Sequence, residues 1–246
     1  MLAFVCLSCT HPTETEEETV ADNAIPVTVA TYNIKHLDSG VESVAAVIKS
    51  VNADIVGVQE VDMMNDRSPG QDQMKMLAET AGYPYYEFIP AIDTMNGQYG
   101  NGILSRYPIE AFDVHTFKVS GAENRALGHA TVKISGTVVD VYCTHLSYES
   151  RDYRLKEMEY MAGEIATKSH YIITGDLNSF DISDIAYIKA DYYVNRKDRF
   201  YGTFRMMQFG PDNIAVSRKF TETESGTSPM KASDHFLLYA RFFMNP

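Results

Sequence analysis

Cysteine is nearly missing from this sequence: 246 residues contain three, Cys6, Cys9 and Cys143. Their spacing fits neither a zinc site nor a dense disulfide framework. Cys143 sits in the strand-like run Val138-Val139-Asp140-Val141-Tyr142-Cys143, where a buried free thiol is the ordinary expectation. Long apolar runs are also missing: no stretch approaches the roughly 20 consecutive apolar residues with which a helix spans a bilayer. Positive charge is in short supply, with 21 Lys and Arg against 33 Asp and Glu and a formal net charge of −12. That balance removes the summed positive field that draws in a nucleic-acid backbone without specificity. A local basic patch would have to do that work, and the most basic stretch, Arg196-Lys197-Asp198-Arg199, is short and broken by an acid. No internal repeat is visible.

What is present is material for a core. Apolar residues make up 45% of the chain, which suits one large α/β domain or two small ones and argues against global disorder. Strand-like and helix-like segments alternate from Ile25 to Pro246 without a break in composition, so residues 25–246 are read as one domain. The first 24 residues differ. Leu2-Ala3-Phe4-Val5-Cys6-Leu7 reads as the end of a secretory apolar region and is followed by Ser8-Cys9. A polar, acidic stretch after Thr10 reads as a flexible tether. The layout resembles a bacterial lipoprotein signal with Cys9 as the lipidated residue, although Cys6 stands where Leu is usual and the opening basic segment is missing. On this reading the protein is exported and lipid-anchored to a bacterial membrane, in the periplasm or at the cell surface.

Along the domain, Val27-Thr28-Val29-Ala30-Thr31-Tyr32 is a β-branched run suited to a buried strand. Val41, Val44, Ala45, Ile48 and Val51 recur at helical spacing up to Asn52. Residues 54–60 read as a second strand, and 71–81 as a helix stopped by Gly82. Strands are expected over 103–105, 111–118, 126–134 and 138–143. A helix over 151–167 follows, with Leu155, Met158, Ala162 and Ile165 on one face. A strand over 171–174, a short helix over 182–188 and strands over 213–216 and 236–243 complete the pattern. Two sheets packed face to face with helices outside accommodate it best.

Polar residues interrupt this pattern at the strand ends, where distant parts of a chain converge. Asn33 ends the first strand and Glu60 the second, and His145 follows the run through Cys143. Asp176 and Asn178 follow the strand over 171–174, Asp212 precedes another strand, and Asp234-His235 precede the last. Glu60, Asp176, Asp212 and Asp234, gathered together, would repel one another unless a cation were present. Hard oxygen ligands of this kind suit Mg²⁺, Mn²⁺ or Ca²⁺ better than zinc. Taken singly, each residue has an ordinary structural explanation: Asn33 and Asn178 as turn caps, Glu60 as a solvated strand end, the histidines as core residues. The clusters Tyr83-Tyr85-Tyr86 and Tyr192-Tyr193 fit structural packing better than base or sugar stacking. No motif supports His115, His129 or His170.

The set in order is more specific. Thr31-Tyr32-Asn33-Ile34, Val58-Gln59-Glu60-Val61-Asp62, Tyr99-Gly100-Asn101-Gly102-Ile103-Leu104-Ser105-Arg106, Thr144-His145-Leu146, Gly175-Asp176-Leu177-Asn178 and Ser233-Asp234-His235 resemble the successive motifs of the endonuclease/exonuclease/phosphatase superfamily, and together they reach from Thr31 to the end of the chain. The resemblance implies an α/β fold of the DNase I-like kind, a four-layer α/β/β/α sandwich of two mixed sheets packed face to face with outer helices. It implies that residues 25–246 form a catalytic domain hydrolysing phosphoesters with Mg²⁺ or Mn²⁺. Glu60, aided by Asn33, would hold the metal, and Asp234 would lie near it. Asp176 would orient the attacking water and Asn178 would hold the phosphate or that water. His235, oriented by Asp212, would contact the phosphate, and His145 would stabilise charge on its oxygens. Asn101 and Arg67 would meet the substrate. Where the family often has Ile-Asp-Tyr-Ile, this chain has Pro211-Asp212-Asn213-Ile214, which keeps the acid and alters its surroundings. The expected substrate is a small or lipid-linked phosphoester acted on by a monomer. A secreted or surface nuclease is the second reading, with nucleic acid as its partner, and a catalytically inactive surface binding module the third.

Overall fold

The β-branched run that opens the domain forms strand β1 (Ile25–Asn33), whose last five residues are all buried. A strand covered on both faces carries a continuous apolar run instead of an alternation. This is a computed structural model, and it describes residues 23–118, 121–179, 181–206 and 208–246; the signal-like segment with Cys6 and Cys9 lies outside them. Helix α1 (Val41–Val51) buries the stripe Val44, Ala45, Val47, Ile48 and Val51. It stops at Asn52, whose φ of 57° is one of the few left-handed positions asparagine takes readily. Strand β2 (Ile55–Met63) returns parallel to β1. Helix α2 (Gln73–Ala81) begins two residues later than the sequence suggests, because the Asp72 carboxylate caps it by accepting from the Lys75 backbone N–H at 2.9 Å.

Strands β3 (Tyr85–Asp93), β4 (Gln98–Ser105), β5 (Ile109–Phe117), β6 (Arg125–Ile134) and β7 (Thr137–His145) follow as a run of antiparallel neighbours and a turn between sheets. Helix α3 (Arg151–Ile165) leads to β8 (Tyr171–Asp176), and a 3-10 turn (Asp184–Ile188) stands where a short helix was expected. The chain closes with β9 (Tyr192–Tyr193), β10 (Asp212–Val216), β11 (Phe220–Thr227) and β12 (Leu238–Met244).

One sheet has the order β11-β12-β1-β2-β4-β3 and the other β5-β6-β7-β8-β10-β9. Among the described residues, β1–β2 and β7–β8 pair parallel and the other neighbours antiparallel. A parallel neighbour needs a crossover, and α1 and α3 supply the two. Val27, Val29, Ile55 and Ile103 of the first sheet face Val141, Cys143, Ile172 and Ile214 of the second across one core. Outside it, α1 and α2 cover Ala30, Val56 and Val58, while Met158, Met161 and Ile165 of α3 cover Tyr142 and Ile173. The four-layer sandwich expected from the motifs is the fold observed.

The two sheets approach closely at Gly57. A Cβ there would stand 2.0 Å from Thr174 Oγ1 and 3.1 Å from Cys143 Sγ, so no larger residue fits between the central strands. Tyr83 of the tyrosine cluster is buried and donates its hydroxyl to the Ala53 carbonyl at 2.8 Å, a structural role. The buried face of α3 is also not the one its apolar spacing suggests: Arg154, Glu157, Met158, Met161 and Ile165 are inside, while Leu155 and Ala162 are only partly covered. Glu157 turns inward because it accepts from both the backbone N–H and the hydroxyl of Ser147, at 2.9 and 2.6 Å.

Candidate active site

The polar strand ends meet at one pole of the sandwich. β7, β8 and β10 lie side by side, and their register sets His145 opposite Asp176 and Asp176 opposite Asp212. From the other sheet, the Asn33 amide at the end of β1 donates to Asp176 Oδ2 at 3.1 Å and to Glu60 Oε1 at 3.0 Å. Glu60 reaches this position through a bulge. The pairing of β2 with β4 shifts between Gln59 and Val61, and Glu60 takes a φ of 60°. The extra residue turns its side chain out of the strand and into the site.

β1 leaves the sheet through a one-turn left-handed excursion: Lys35, His36 and Leu37 have φ of 47°, 53° and 59°. Each such residue costs about 1–2 kcal/mol relative to right-handed backbone. The turn is held by Gln73, whose amide donates to the His36 carbonyl at 2.8 Å and accepts from the Asp62 backbone N–H at 2.9 Å. It places His36 Nε2 3.2 Å from Glu60 Oε2 and Lys35 Nζ 3.9 Å from Asp234 Oδ2.

His235 arrives just ahead of β12. Its Nδ1 donates to Asp212 Oδ2 at 2.8 Å, and its Nε2 stands 3.7 Å from Asp176 Oδ2. His145 Nε2 lies 3.6 Å from the same oxygen. Burial alone would keep the His235 ring neutral, but the buried Asp212 carboxylate and the nearby Asp176 outweigh it, and its pKa is pushed up to about 10. Burial wins at His145, whose pKa falls below its ordinary value despite Asp176. For Asp176, burial pushes upward, yet the two imidazoles, the Asn178 backbone N–H and the Asn33 amide hold its carboxyl below the usual range. Near neutral pH the site therefore pairs one charged imidazole with one neutral imidazole around an ionised aspartate. Pro211 does not disturb this geometry. It precedes the first residue of β10, where its missing N–H is not needed, and its carbonyl accepts from the Leu177 N–H at 2.8 Å.

Glu60, His145, Asp176 and His235 line a cavity of about 600 Å³, together with several residues that the sequence did not single out for a role. Arg125 is 3% exposed and opens β6 at the cavity wall. Its Nη2 lies 3.2 Å from Glu123 and 3.6 Å from Glu149, and its Nε has no partner among the described residues. Tyr99, Tyr148, Phe204, Arg205 and Phe209 add aromatic walls and a second guanidinium. Burial first, and the Glu60 charge after it, push the Tyr99 hydroxyl up, so it stays a donor. The only signal for Arg125 in the sequence is a lone cation directly before an apolar strand.

Two expected substrate contacts are placed elsewhere. Asn101 of β4 is 2% exposed, pairs with Gln59 of β2, and does not line the cavity. Arg67 lies behind the wall: its guanidinium clasps Asp62 with two 2.7 Å bonds and stacks 5.1 Å over Tyr99. Asn178 is at the cavity, with a φ of 47°, and donates its amide to the Leu146 carbonyl at 2.8 Å. Asp234 is at the mouth, its side chain 44% exposed.

The donor set suits a hard divalent cation. Oxygens of Glu60 and Asp176, from different sheets, converge on the single amide nitrogen of Asn33, and Asp234 stands at the same mouth. Asn33 turns its nitrogen to the carboxylates, while its oxygen accepts from the Lys35 N–H at 3.2 Å. In this arrangement its amide bridges the two carboxylates. Asp176, Asp212 and His235 also offer atoms within 4.8 Å of one another, but Asp212 and His235 are spent on each other. That trio is arranged to handle a proton.

A family model described as the Endonuclease/Exonuclease/phosphatase family matches residues 30–235. The uncharacterised protein YbhP of Escherichia coli is 27% identical over 144 residues, and the match spans 54% of this chain and 56% of YbhP, just over half the length of that relative. The crystal structure of an endonuclease/exonuclease/phosphatase from Beutenbergia cavernae superposes with a TM-score of 0.76 at 20% identity, covering 89% of this chain and 72% of that one. The mannosyl-6-phosphatase Bt3783 of Bacteroides thetaiotaomicron superposes with a TM-score of 0.64 at 18% identity, covering 88% and 99%. At these identities the likeness to solved structures is one of fold.

Proposed function

Because the chain belongs to the endonuclease/exonuclease/phosphatase family, we propose that it hydrolyses a small phosphoester in a reaction that needs Mg²⁺ or Mn²⁺. The observation that carries this reading is the convergence on Asp176, with Asn33 and two imidazoles gathered about one carboxylate at the floor of the cavity. Glu60 and Asp234 would hold the cation, which supplies Lewis-acid polarisation of a phosphate oxygen. Asp176 orients the attacking water and draws its proton as the new P–O bond forms. The charged His235 ring donates to the phosphate, and its proton is available to the leaving oxygen as the old P–O bond breaks. Asp212 keeps that ring in register. The neutral His145 and the Arg125 guanidinium face charge that accumulates on the non-bridging oxygens.

The half-open, partly aromatic cavity and the net charge of −12 favour a compact substrate over duplex DNA. A sugar phosphate is a natural first candidate, since one structural neighbour is named as a mannosyl-6-phosphatase. The test is a panel of sugar phosphates, small diesters, phospholipids, RNA and DNA, each assayed with Mg²⁺ and with Mn²⁺. Turnover is expected to vanish with chelator and to return on adding metal. Full turnover after exhaustive chelation overturns the reading.

The protein is further proposed to be exported and held at a membrane through Cys9, on the strength of the apolar run and Ser8-Cys9 at its start. Expressed with its natural upstream region, it should sediment with membranes, and Cys9→Ser should release it. Wild type recovered only in the soluble fraction removes the anchor.

A further inference from the structure

One densely built polar network flanks the site on the Glu60 side and has no place in the chemistry described so far. It starts at Asp62, wholly buried, whose carboxylate accepts from the Asn65 amide at 3.0 Å and the Ser68 hydroxyl at 2.9 Å as well as from Nε and Nη2 of Arg67. Arg67 Nη2 continues to His36, 2.7 Å from Nδ1. His36 Nε2 continues to Glu60 Oε2 at 3.2 Å.

The direction of this chain fixes a proton. A guanidinium only donates, so His36 Nδ1 must accept, and a ring protonated at Nδ1 would set N–H against N–H at 2.7 Å. The ring proton therefore sits on Nε2, the nitrogen facing Glu60. Glu60 is then held on both oxygens, by the Asn33 amide at Oε1 and by the His36 imidazole at Oε2. The rest of the ring is equally constrained. Its backbone belongs to the left-handed turn, its carbonyl accepts from Gln73, and its face lies 5.5 Å from the Tyr99 ring. A rarely used backbone conformation kept in place by several side chains points to a function at that position.

We infer that His36 is a positioning residue: in the Nε2–H form imposed by Arg67, it fixes the plane of the Glu60 carboxylate so that the cation meets an oriented ligand. The inference rests on the metal-dependent reading of the site. It also gives Arg67 a role, acting through His36 without touching substrate. Partners of this kind, one step removed from the ligand, typically change metal affinity by about 10- to 100-fold when lost.

The test uses the full chain and Mn²⁺ as the probe, with its dissociation constant measured by calorimetry and the imidazole nitrogens read by NMR on ¹⁵N-labelled protein. Wild type should show a neutral His36 ring protonated at Nε2. His36→Ala should weaken Mn²⁺ by about 10- to 100-fold with unchanged circular dichroism. His36→Gln, whose amide can accept from Arg67 and donate to Glu60, should recover most of the loss. Arg67→Ala leaves the ring in place and should mix its tautomers, which decides the question even if His36→Ala fails to fold. An unchanged dissociation constant in folded His36→Ala, or a wild-type ring carrying its proton on Nδ1, overturns the inference and leaves the proposed function standing. Wild type that binds no Mn²⁺ overturns both.

Discussion

At the scale of single residues, the site separates groups that act on developing charge from groups that only hold them. Asp176→Asn keeps the shape and removes the negative charge that orients water, and His235→Ala removes a charged donor. Each is expected to lower kcat by about a hundredfold or more with melting behaviour close to wild type. If either variant unfolds, that residue is structural. The residues that were legible in the sequence share one property: they interrupt the apolar pattern, Asn33, Asp176 and Asp212 at strand ends, Glu60 at a bulge inside β2, and His235 just ahead of β12. Arg125 breaks nothing, because it is the first residue of its strand. His36 is one of seven histidines and gains its meaning only from a left-handed turn that no spacing announces. Arg67 was visible as a cation near the site, but not its commitment to Asp62, since a guanidinium and its partner five residues away can be arranged in many ways.

Among the elements, the central strands and the edge strand β5 were readable, and the other edges, β3, β9 and β11, were not. β1, β2, β7 and β8 are buried on both faces and carry β-branched runs. β3 and β11 are edge strands with one neighbour each. β3 carries Pro90, which an edge tolerates, and β11 reads Thr-Glu-Thr-Glu, polar enough to pass for a loop. One imidazole also ties elements together: His129 in β6 bridges Asp113 of β5 at 3.1 Å and Asp140 of β7 at 2.6 Å, and Lys168 joins Asp140 at 2.9 Å. The bond to Asp140 raises the His129 pKa above 6.5 against the opposing effect of burial. The stability it confers is thus complete below pH 6.5 and fades as pH rises through the elevated folded value. For Asp140, burial pushes up, but His129 and Lys168 hold its carboxyl below 3.8, so its share persists above that value and is lost in acid. His129→Gln should cost on the order of 1 kcal/mol near pH 6, shrinking toward alkaline pH, by urea denaturation. A cost that stays level across the pH range would remove the bridge from the account.

For the whole molecule, net charge was available from composition, but the site's position relative to chain entry was not. At −12, a long polyanion must approach against an unfavourable field that a compact ester hardly feels. The expectation is a higher kcat/KM on a small phosphoester than on plasmid DNA. Efficient plasmid cleavage that drops steeply with added salt would reveal a basic track that outweighs the overall charge. The position of chain entry follows from β1, which begins at Ile25 and delivers Asn33 to the catalytic pole about 26–27 Å away at the usual rise per residue. Ile25 pairs with Met244, so both ends of the domain lie at the far pole. Any support gripping the protein upstream of Ile25, whether a bead, a fusion partner or a lipid, joins the domain at the pole opposite the cavity. Catalysis should then survive immobilisation through the N-terminus, and the substrate should arrive from the surrounding solution, not from the surface that carries the enzyme.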